Sequence, residues 1–533
     1  MLQSVVVRLQ PSASSALSAS VCRRMASSTA LPIITSYING ARVPVDAARA
    51  ALCFDKRNPA TGQVFAQVQS ADERELNHAV AVAQAAQREW AALNGAERSR
   101  ILRKAAQLIR DRTQALAEVE VRDVGKPIAE ALSYDINSGA DVFEYYASVA
   151  ATMHGKFFSN FSTSVASRPA RSFAYTIREP LGVCAGIGAW NYPFQIASWK
   201  TAPALACGNS MVFKPSELTP SSAVELAAIL TEAGVPAGVF NVVQGAGNIG
   251  RGITAHPDIA KVTFTGESGT GKHVMRSSSD SLKKVTLELG GKSPLIVFDD
   301  CKLDDAVSGA LMANFYTQGE VCTNGTRVFV QRSIHDKFIA RLRERMSATA
   351  QPGIVIGNPM DEKTNVGALI SEPHMQKVLG YIAKGKAEGA KLIAGGNRFQ
   401  PTDAAFKDGY FVEPTVFDEC SDSMAIVREE IFGPVMSILP FDTDEEVIRR
   451  ANATSFGLAA GVFTSSLQRA HTSVASLQAG IVWVNNYNLA PVEVPFGGFK
   501  ESGIGKENGT ESIENFTQLK MVYMEMDGIA SVF

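Results

Sequence analysis

From Tyr175 onward short β-type apolar runs alternate with helical ones, and that alternation restricts the chain to a parallel sheet with crossover helices. The runs are GVCAGIGAW, SMVFKPS, a helix over 221–233, VFNVVQG, KVTFTG and PLIVF. A second series follows, with a helix over 303–317, a strand over 326–331, helices over 333–349 and near 374–388, and strands around 436–439 and 482–485. Two tandem α/β domains are the economical reading. Upstream, 71–123 reads as two long helices, because Ala79, Val80, Ala83, Ile101, Ala105, Leu108 and Ile109 recur at helical spacing. Between Gly155 and Arg171 the chain turns polar and serine-rich, which reads as a loop, an edge excursion or a subunit-contact arm.

Composition narrows the function classes. The 51 Lys and Arg against 53 Asp and Glu leave a net charge of −2, which removes the electrostatic argument for nucleic acid or a membrane surface. The two longest charge-free stretches are broken by Asn191, Pro193 and Gln195, and by Gln478, Asn485, Asn486 and Asn488, so neither is a membrane span. Seven cysteines, an odd number without a CxxC pair, argue against a disulfide framework and a zinc site, and for a reducing compartment. No metal is expected. The first 45 residues hold Arg8, Arg23, Arg24 and Arg42, many serines and no acid before Asp46. That is transit-peptide composition; a disordered tail, or upstream sequence skipped by a start at Met25, would look the same.

Three glycine-rich signals compete for a phosphate. Gly245-Ala-Gly-Asn-Ile-Gly250 matches G-x-G-x-x-G after a strand, but the following KVTFTG lacks the acid that should end the next strand. Gly266 to Lys272 matches G-x-x-x-x-G-K, yet the next residue is His273 where a P-loop needs Ser or Thr to hold magnesium. An NTPase is therefore disfavoured, while an anion cradle at a strand-to-helix turn stays open. In Leu287-Glu288-Leu289-Gly290-Gly291-Lys292 an acid stands between two leucines, a setting that raises a carboxyl pKa; it suits a general base or a buried ion pair. Cys322 lies in a polar loop between helix and strand, whereas Cys184 and Cys207 sit in apolar runs, so Cys322 is the candidate nucleophile.

Seven motifs then fall in one order: Trp190-Asn-Tyr-Pro-Phe194, Lys214-Pro-Ser-Glu217, Phe264-Thr-Gly266, Glu288-Leu-Gly-Gly-Lys292, Gly319 to Cys322, Glu430-Ile-Phe-Gly-Pro434 and Pro495-Phe-Gly-Gly498. Across residues 35–528 this resembles the aldehyde dehydrogenase superfamily, and within it the branch that acts on quaternary-ammonium aldehydes. The resemblance implies an α/β fold of aldehyde dehydrogenase type, with a Rossmann-like NAD domain (35–154 and 181–288), a catalytic domain (289–504) and a β oligomerisation arm (155–180 and 505–528) after a disordered or targeting segment (1–34). It implies Cys322 as nucleophile, Asn191 as oxyanion donor and Glu288 as base. For NAD it implies Lys214, Glu217, Gly266, Ser268, Gly271, Leu289, Glu430, Phe432 and Trp190, with the Gly245 turn a decoy. Glu217 beside a ribose would disfavour NADP.

Where many relatives have Ser after Gly266, this chain has Glu267, a carboxylate that would repel a pyrophosphate unless it turned outward. The resemblance also places Tyr192, Trp199, Tyr487 and Phe496 along the aldehyde tunnel, where aromatic faces suit a quaternary ammonium group. Glu493 would add long-range attraction or serve the loop structurally. A homotetramer and a cytosolic location are implied, with the mitochondrial matrix the alternative from the N-terminal composition. The expected partner is a small aldehyde.

Overall fold

The structure is a computed structural model that describes residues 31–159, 172–347 and 353–526, with 531 and 533. The proposed targeting composition of residues 1–30 and most of the serine-rich excursion lie outside the described residues. After Pro59 the chain forms three helices where two are expected: α1 (Glu73–Ala92), α2 (Gly95–Asp111) and α3 (Thr113–Val124). The break is local chemistry. Asn94 opens α2 with a capping box, its side chain accepting from the Glu97 N–H while the Glu97 carboxylate accepts from the Asn94 N–H. A Cβ at Gly95 would stand 2.1 Å from the Ala150 carbonyl oxygen of α4 (Ile136–Thr152), so glycine is what lets the two helices close. Trp90, Leu102, Ile109, Phe143 and Tyr146 fill the space between them.

Five parallel strands, β1 (Val183–Ile187), β2 (Ser210–Lys214), β3 (Phe240–Val242), β4 (Lys261–Thr265) and β5 (Lys284–Glu288), lie in the spatial order β3-β2-β1-β4-β5. They are joined by α5 (Pro193–Ala206), α6 (Ser222–Ala233), α7 (Gly247–Ala255) and α8 (Ser268–Ser279). Because β1 and β2 are buried along their length, they read as unbroken apolar runs with little alternation. The chain steps outward through β2 and β3, then returns to the far side of β1. This reversal opens a crevice at the carboxyl ends of β1 and β4, where open parallel sheets take their ligands. It also explains why Gly245 to Gly250, after β3, is two strands removed from that crevice, while Gly266 borders it.

The second sheet contains β6 (Pro294–Val297), β7 (Arg327–Gln331), β8 (Lys391–Ala394), β9 (Thr415–Asp418), β10 (Val435–Phe441), β11 (Ala459–Phe463) and β12 (Ile481–Val484), in the order β8-β9-β10-β7-β6-β11-β12. All its neighbours pair in parallel except β8 with β9. Helices α9 (Leu303–Phe315), α10 (His335–Met346) and α11 (Glu372–Ala387) pack beside it. Only Leu289 to Ser293 separate β5 from β6 along the chain, so the site lies where one sheet hands over to the other. A third sheet pairs Thr517–Met524 with Phe173–Pro180 and then Phe157–Phe158, all antiparallel.

Candidate active site

A cavity of about 300 Å³ runs between the two large sheets. Cys322, Asn191 and Glu288, far apart in sequence, all line it. Asn191 follows β1, and its amide donates to the Glu320 carbonyl oxygen at 2.9 Å, which ties it to the loop carrying Cys322. Burial pushes the Cys322 thiol up to about 12, with the Glu430 and Glu288 carboxyls adding to the rise; the backbone N–H groups of Cys322 and Thr323, directed at the sulfur, oppose it. The resting side chain is thus a thiol that needs a base.

Glu288 ends β5 and is buried, and neither of its carboxyl oxygens has a hydrogen-bond partner among the described residues. Burial raises its pKa well above the carboxylate range, and Glu507 raises it further against the opposing charges of Lys200 and Lys506. A Cβ at Gly497 would come within 2.6 Å of one of its oxygens, so the glycine there leaves the carboxyl its room. Glu507 also lines the cavity and is bound by Thr263 Oγ1 at 3.1 Å and by Lys200 Nζ.

The double glycine after Glu288 serves two neighbours. A Cβ on Gly290 would fall 2.1 Å from a Glu430 oxygen, and one on Gly291 would fall 2.6 Å from the Cys322 carbonyl oxygen. The other Glu430 oxygen accepts from the Gly291 N–H at 2.9 Å, and burial raises this acid to about 7. Phe432, at φ 61, stacks edge-on against Trp190 with centroids 5.2 Å apart, and His374 on α11 packs 5.3 Å from the same indole. The His374 ring also bonds the Phe432 carbonyl oxygen at 2.6 Å. Nothing local in the sequence singles out His374 or Glu507; only the packing of α11 and of the C-terminal segment brings them to the cavity.

Along the carboxyl edge of the first sheet, Lys214 ends β2 with its ammonium bonded to the Pro215 and Gly245 carbonyl oxygens at 2.6 and 2.7 Å. Glu217 stands 3.7 Å from that ammonium with its carboxylate half exposed. Two expected members of this row face elsewhere. Gly271 is buried in α8, its N–H donates to the Glu267 carbonyl oxygen, and a Cβ there would strike Leu289 at 2.5 Å, so it is a packing glycine. Ser268 donates its hydroxyl to the Glu501 carbonyl oxygen at 3.2 Å. Glu267 does not turn away: it lines the cavity and its charge contributes to the raised pKa of Glu430.

Of the four expected tunnel aromatics, Tyr192, Trp199 and Phe496 line the cavity. Tyr487 does not. Its ring sinks into the second sheet beside Gly325 and Gly461, where any Cβ would meet it at 2.8 and 2.6 Å, and its hydroxyl donates to the Thr323 carbonyl oxygen at 2.7 Å. Trp483, within β12, and Asn488 line the cavity in its place, and the positive φ of Asn485 interrupts the strand alternation between Trp483 and Tyr487. Tyr134, edge-on to Tyr192 at 6.4 Å, is a further aromatic that the sequence reading missed.

Residues 46–522 match the family model described as the aldehyde dehydrogenase family. The chain belongs to that family. It is 55% identical over 499 residues to 4-trimethylaminobutyraldehyde dehydrogenase A of Danio rerio, covering 93% of this chain and 95% of that one. It is 56% identical over 480 residues to the betaine aldehyde dehydrogenase of Vibrio vulnificus, covering 90% and 96%. Among solved structures, the NAD+ complex of an aldehyde dehydrogenase from Bacillus cereus superposes with a TM-score of 0.86 at 41% identity over 93% of this chain and 97% of that one. As an aldehyde dehydrogenase the chain has its candidate thiol, amide and acid at one cavity. Among the described residues, no group of side chains could hold a metal ion and no helix is long and apolar enough to cross a membrane.

Proposed function

We propose that this NAD-dependent aldehyde dehydrogenase oxidises 4-trimethylammoniobutanal to 4-trimethylammoniobutanoate, a step that would serve carnitine biosynthesis, and takes related amino aldehydes. The observation that carries this reading is the wall of the cavity: Tyr134, Tyr192, Trp199, Trp483 and Phe496 surround the approach to Cys322. Aromatic faces attract a quaternary ammonium group without the desolvation that an ion pair would impose. Glu493 supports it from outside, on a neighbouring groove that shares Tyr134 and Ala490 with the cavity.

In the proposed reaction Cys322 Sγ bonds the aldehyde carbon, and its proton passes to a base in the cavity, for which Glu288 is the free acceptor. The oxyanion takes one N–H from Cys322 and the second hydrogen of the Asn191 amide, whose first is held by Glu320. Each such donor contributes about 3 kcal/mol in a dry site. When bound, NAD supplies the ring that accepts the hydride. Glu288, having passed the thiol proton to solvent, then takes a proton from the water that attacks the thioester carbon and returns it to the departing Cys322 sulfur. The thiol is thereby restored, and the acid product leaves as a carboxylate after losing its own proton to solvent.

The residues present suit that dinucleotide. A Cβ on Gly250 would meet only Lys214, at 3.9 Å, so the first turn of α7 is open beside that lysine. At the first turn of α8, by contrast, the Glu267 carboxylate lies 3.4 Å from the place of a Gly269 Cβ and would have to swing aside for a pyrophosphate. Lys214 and Glu217 would hold the adenosine ribose, with Glu217 disfavouring a 2′-phosphate, and Glu430, Phe432, Leu289 and Trp190 the nicotinamide end. The Vibrio relative favours betaine aldehyde as a second substrate reading, since the same aromatic wall serves either cation.

The test is NADH formation with 4-trimethylammoniobutanal and with an uncharged aldehyde of equal length, using Cys322→Ser as control. A strong preference for the cation is expected; equal rates would discard the substrate while keeping the chemistry. For assembly, the third sheet leaves Phe157, Ile177, Leu519 and Met521 exposed, a surface suited to a homotetramer and checked by light scattering. For location we favour the cytosol over the mitochondrial matrix. A tagged full-length chain compared with a Met25 start decides that, and mitochondrial staining of the full-length chain alone would reverse it.

A further inference from the structure

Immediately before the nucleophile's loop, three successive residues adopt left-handed backbone: Thr317 (φ 47), Gln318 (φ 43) and Gly319 (φ 79). Glycine does so freely, whereas a β-branched threonine and a glutamine do not. At Gly319 the reason is steric, since a Cβ would stand 2.2 Å from the Gly433 carbonyl carbon. At Thr317 and Gln318 the conformation must be imposed from outside. The imposing group is Glu130, between α3 and α4. Its two carboxyl oxygens accept from the Thr317 N–H at 3.1 and 3.0 Å, and one of them also accepts from the Thr317 hydroxyl at 2.9 Å. Tyr192 closes the other side, its hydroxyl 2.7 Å from Thr317 Oγ1, and Lys126 lies 3.7 Å over the Tyr192 ring.

The consequence reaches the reacting atoms through one more residue. Gln318 donates its amide to Glu320 at 2.8 Å, the other Glu320 oxygen accepts from the Ile370 N–H at 2.9 Å, and the Glu320 carbonyl oxygen accepts from Asn191. Asn324 adds a bond to the Gly319 carbonyl oxygen at 3.1 Å. We propose that Glu130 is a positioning residue for the oxidation: by clamping Thr317 it holds the left-handed turn that sets Cys322 and the Asn191 amide in register. Without the clamp the turn relaxes towards ordinary backbone, Glu320 shifts, and thiol and amide lose their common target. Strained backbone that persists because its surroundings over-determine it is a recurrent property of reactive sites. This inference rests on the reading of Cys322 as nucleophile.

The experiment compares wild type, Glu130→Ala, Glu130→Gln and the double variant Glu130→Ala/Thr317→Gly. It measures kcat, the KM for NAD, the thermal midpoint and the rate of Cys322 alkylation by iodoacetamide, with Cys322→Ser as the alkylation blank. Glu130→Ala should lower kcat and the alkylation rate together by about a hundredfold, the scale of a misplaced reacting group, while the KM for NAD stays within about twofold. Glycine at 317 adopts the turn unaided, so the double variant should regain about tenfold of both rates without regaining thermal stability. Near wild-type kcat and alkylation in Glu130→Gln and Glu130→Ala would overturn the proposal. So would a loss that Thr317→Gly leaves unrelieved. If Glu130→Ala does not fold, Glu130→Gln and its Thr317→Gly double carry the same test. Activity surviving in Cys322→Ser would instead sink the nucleophile reading.

Discussion

Glu288 and Glu130 are both carboxylic acids sunk in this molecule, and burial raises the pKa of each, that of Glu130 to about 8. Their partners differ in kind. Glu130 receives three hydrogen bonds from one threonine, while both oxygens of Glu288 lack any partner among the described residues and face the cavity. Burial alone therefore does not distinguish an acid that does chemistry from one that holds a shape. The unspent acceptor does, because a buried polar group left unpaired is costly and persists where a reaction uses it.

The comparison can be broken by removing each side in turn. Cys322→Ser should have the largest effect, lowering NADH formation by roughly 10⁴-fold or more while NAD still raises the thermal midpoint. Glu288→Gln should cut steady-state turnover about a thousandfold and slow the first burst of NADH as well, because the thiol proton and the proton of the hydrolytic water both lose their acceptor. Its pH profile sharpens the point. With the pKa of Glu288 raised, the base form gains population as pH rises, so wild-type turnover should climb with pH. Stopped-flow rates for Glu288→Gln should lose that climb; an unchanged slope would remove Glu288 from the base role.

Asn191→Ala should cost about a hundredfold in kcat, somewhat less than the acid, since the Cys322 N–H still serves the oxyanion. Tyr487→Phe should have the smallest effect. It deletes one buried bond to the Thr323 carbonyl oxygen, worth about 1 kcal/mol in a denaturant titration, and leaves the preference for a cationic aldehyde unchanged. A changed preference would restore Tyr487 to the tunnel.

Much of this was legible in residue order. The alternation from Tyr175 onward announces the parallel sheets, and the separate motifs around Asn191, Glu288 and Cys322 meet at one cavity. The division of 71–123 into three helices was hidden, because it turns on the Asn94 cap and on the closeness of Gly95 to α4. Tyr487 was placed in the tunnel for a similar reason: Asn485 at positive φ interrupts the alternation between Trp483 and Tyr487, and periodicity carries no sign of it. Glu130, His374 and Glu507 come from stretches with no motif of their own, and only tertiary packing gives them a place. At Gly271 the sequence could not show that the glycine makes room for Leu289, because a glycine that admits a ligand and one that admits a leucine look alike in sequence.

The passage from β5 to β6 has one more consequence. Gly290 and Gly291 are the few steps by which the chain leaves one sheet for the other, and Glu430 and the Cys322 loop press on them from either side. The reaction therefore reads the alignment of two separately built bodies, as a lock reads the seating of a door in its frame. Mild urea that lets the bodies slip by an ångström should silence turnover while both sheets still give their full circular dichroism, so that function fails at the seam before the material on either side does.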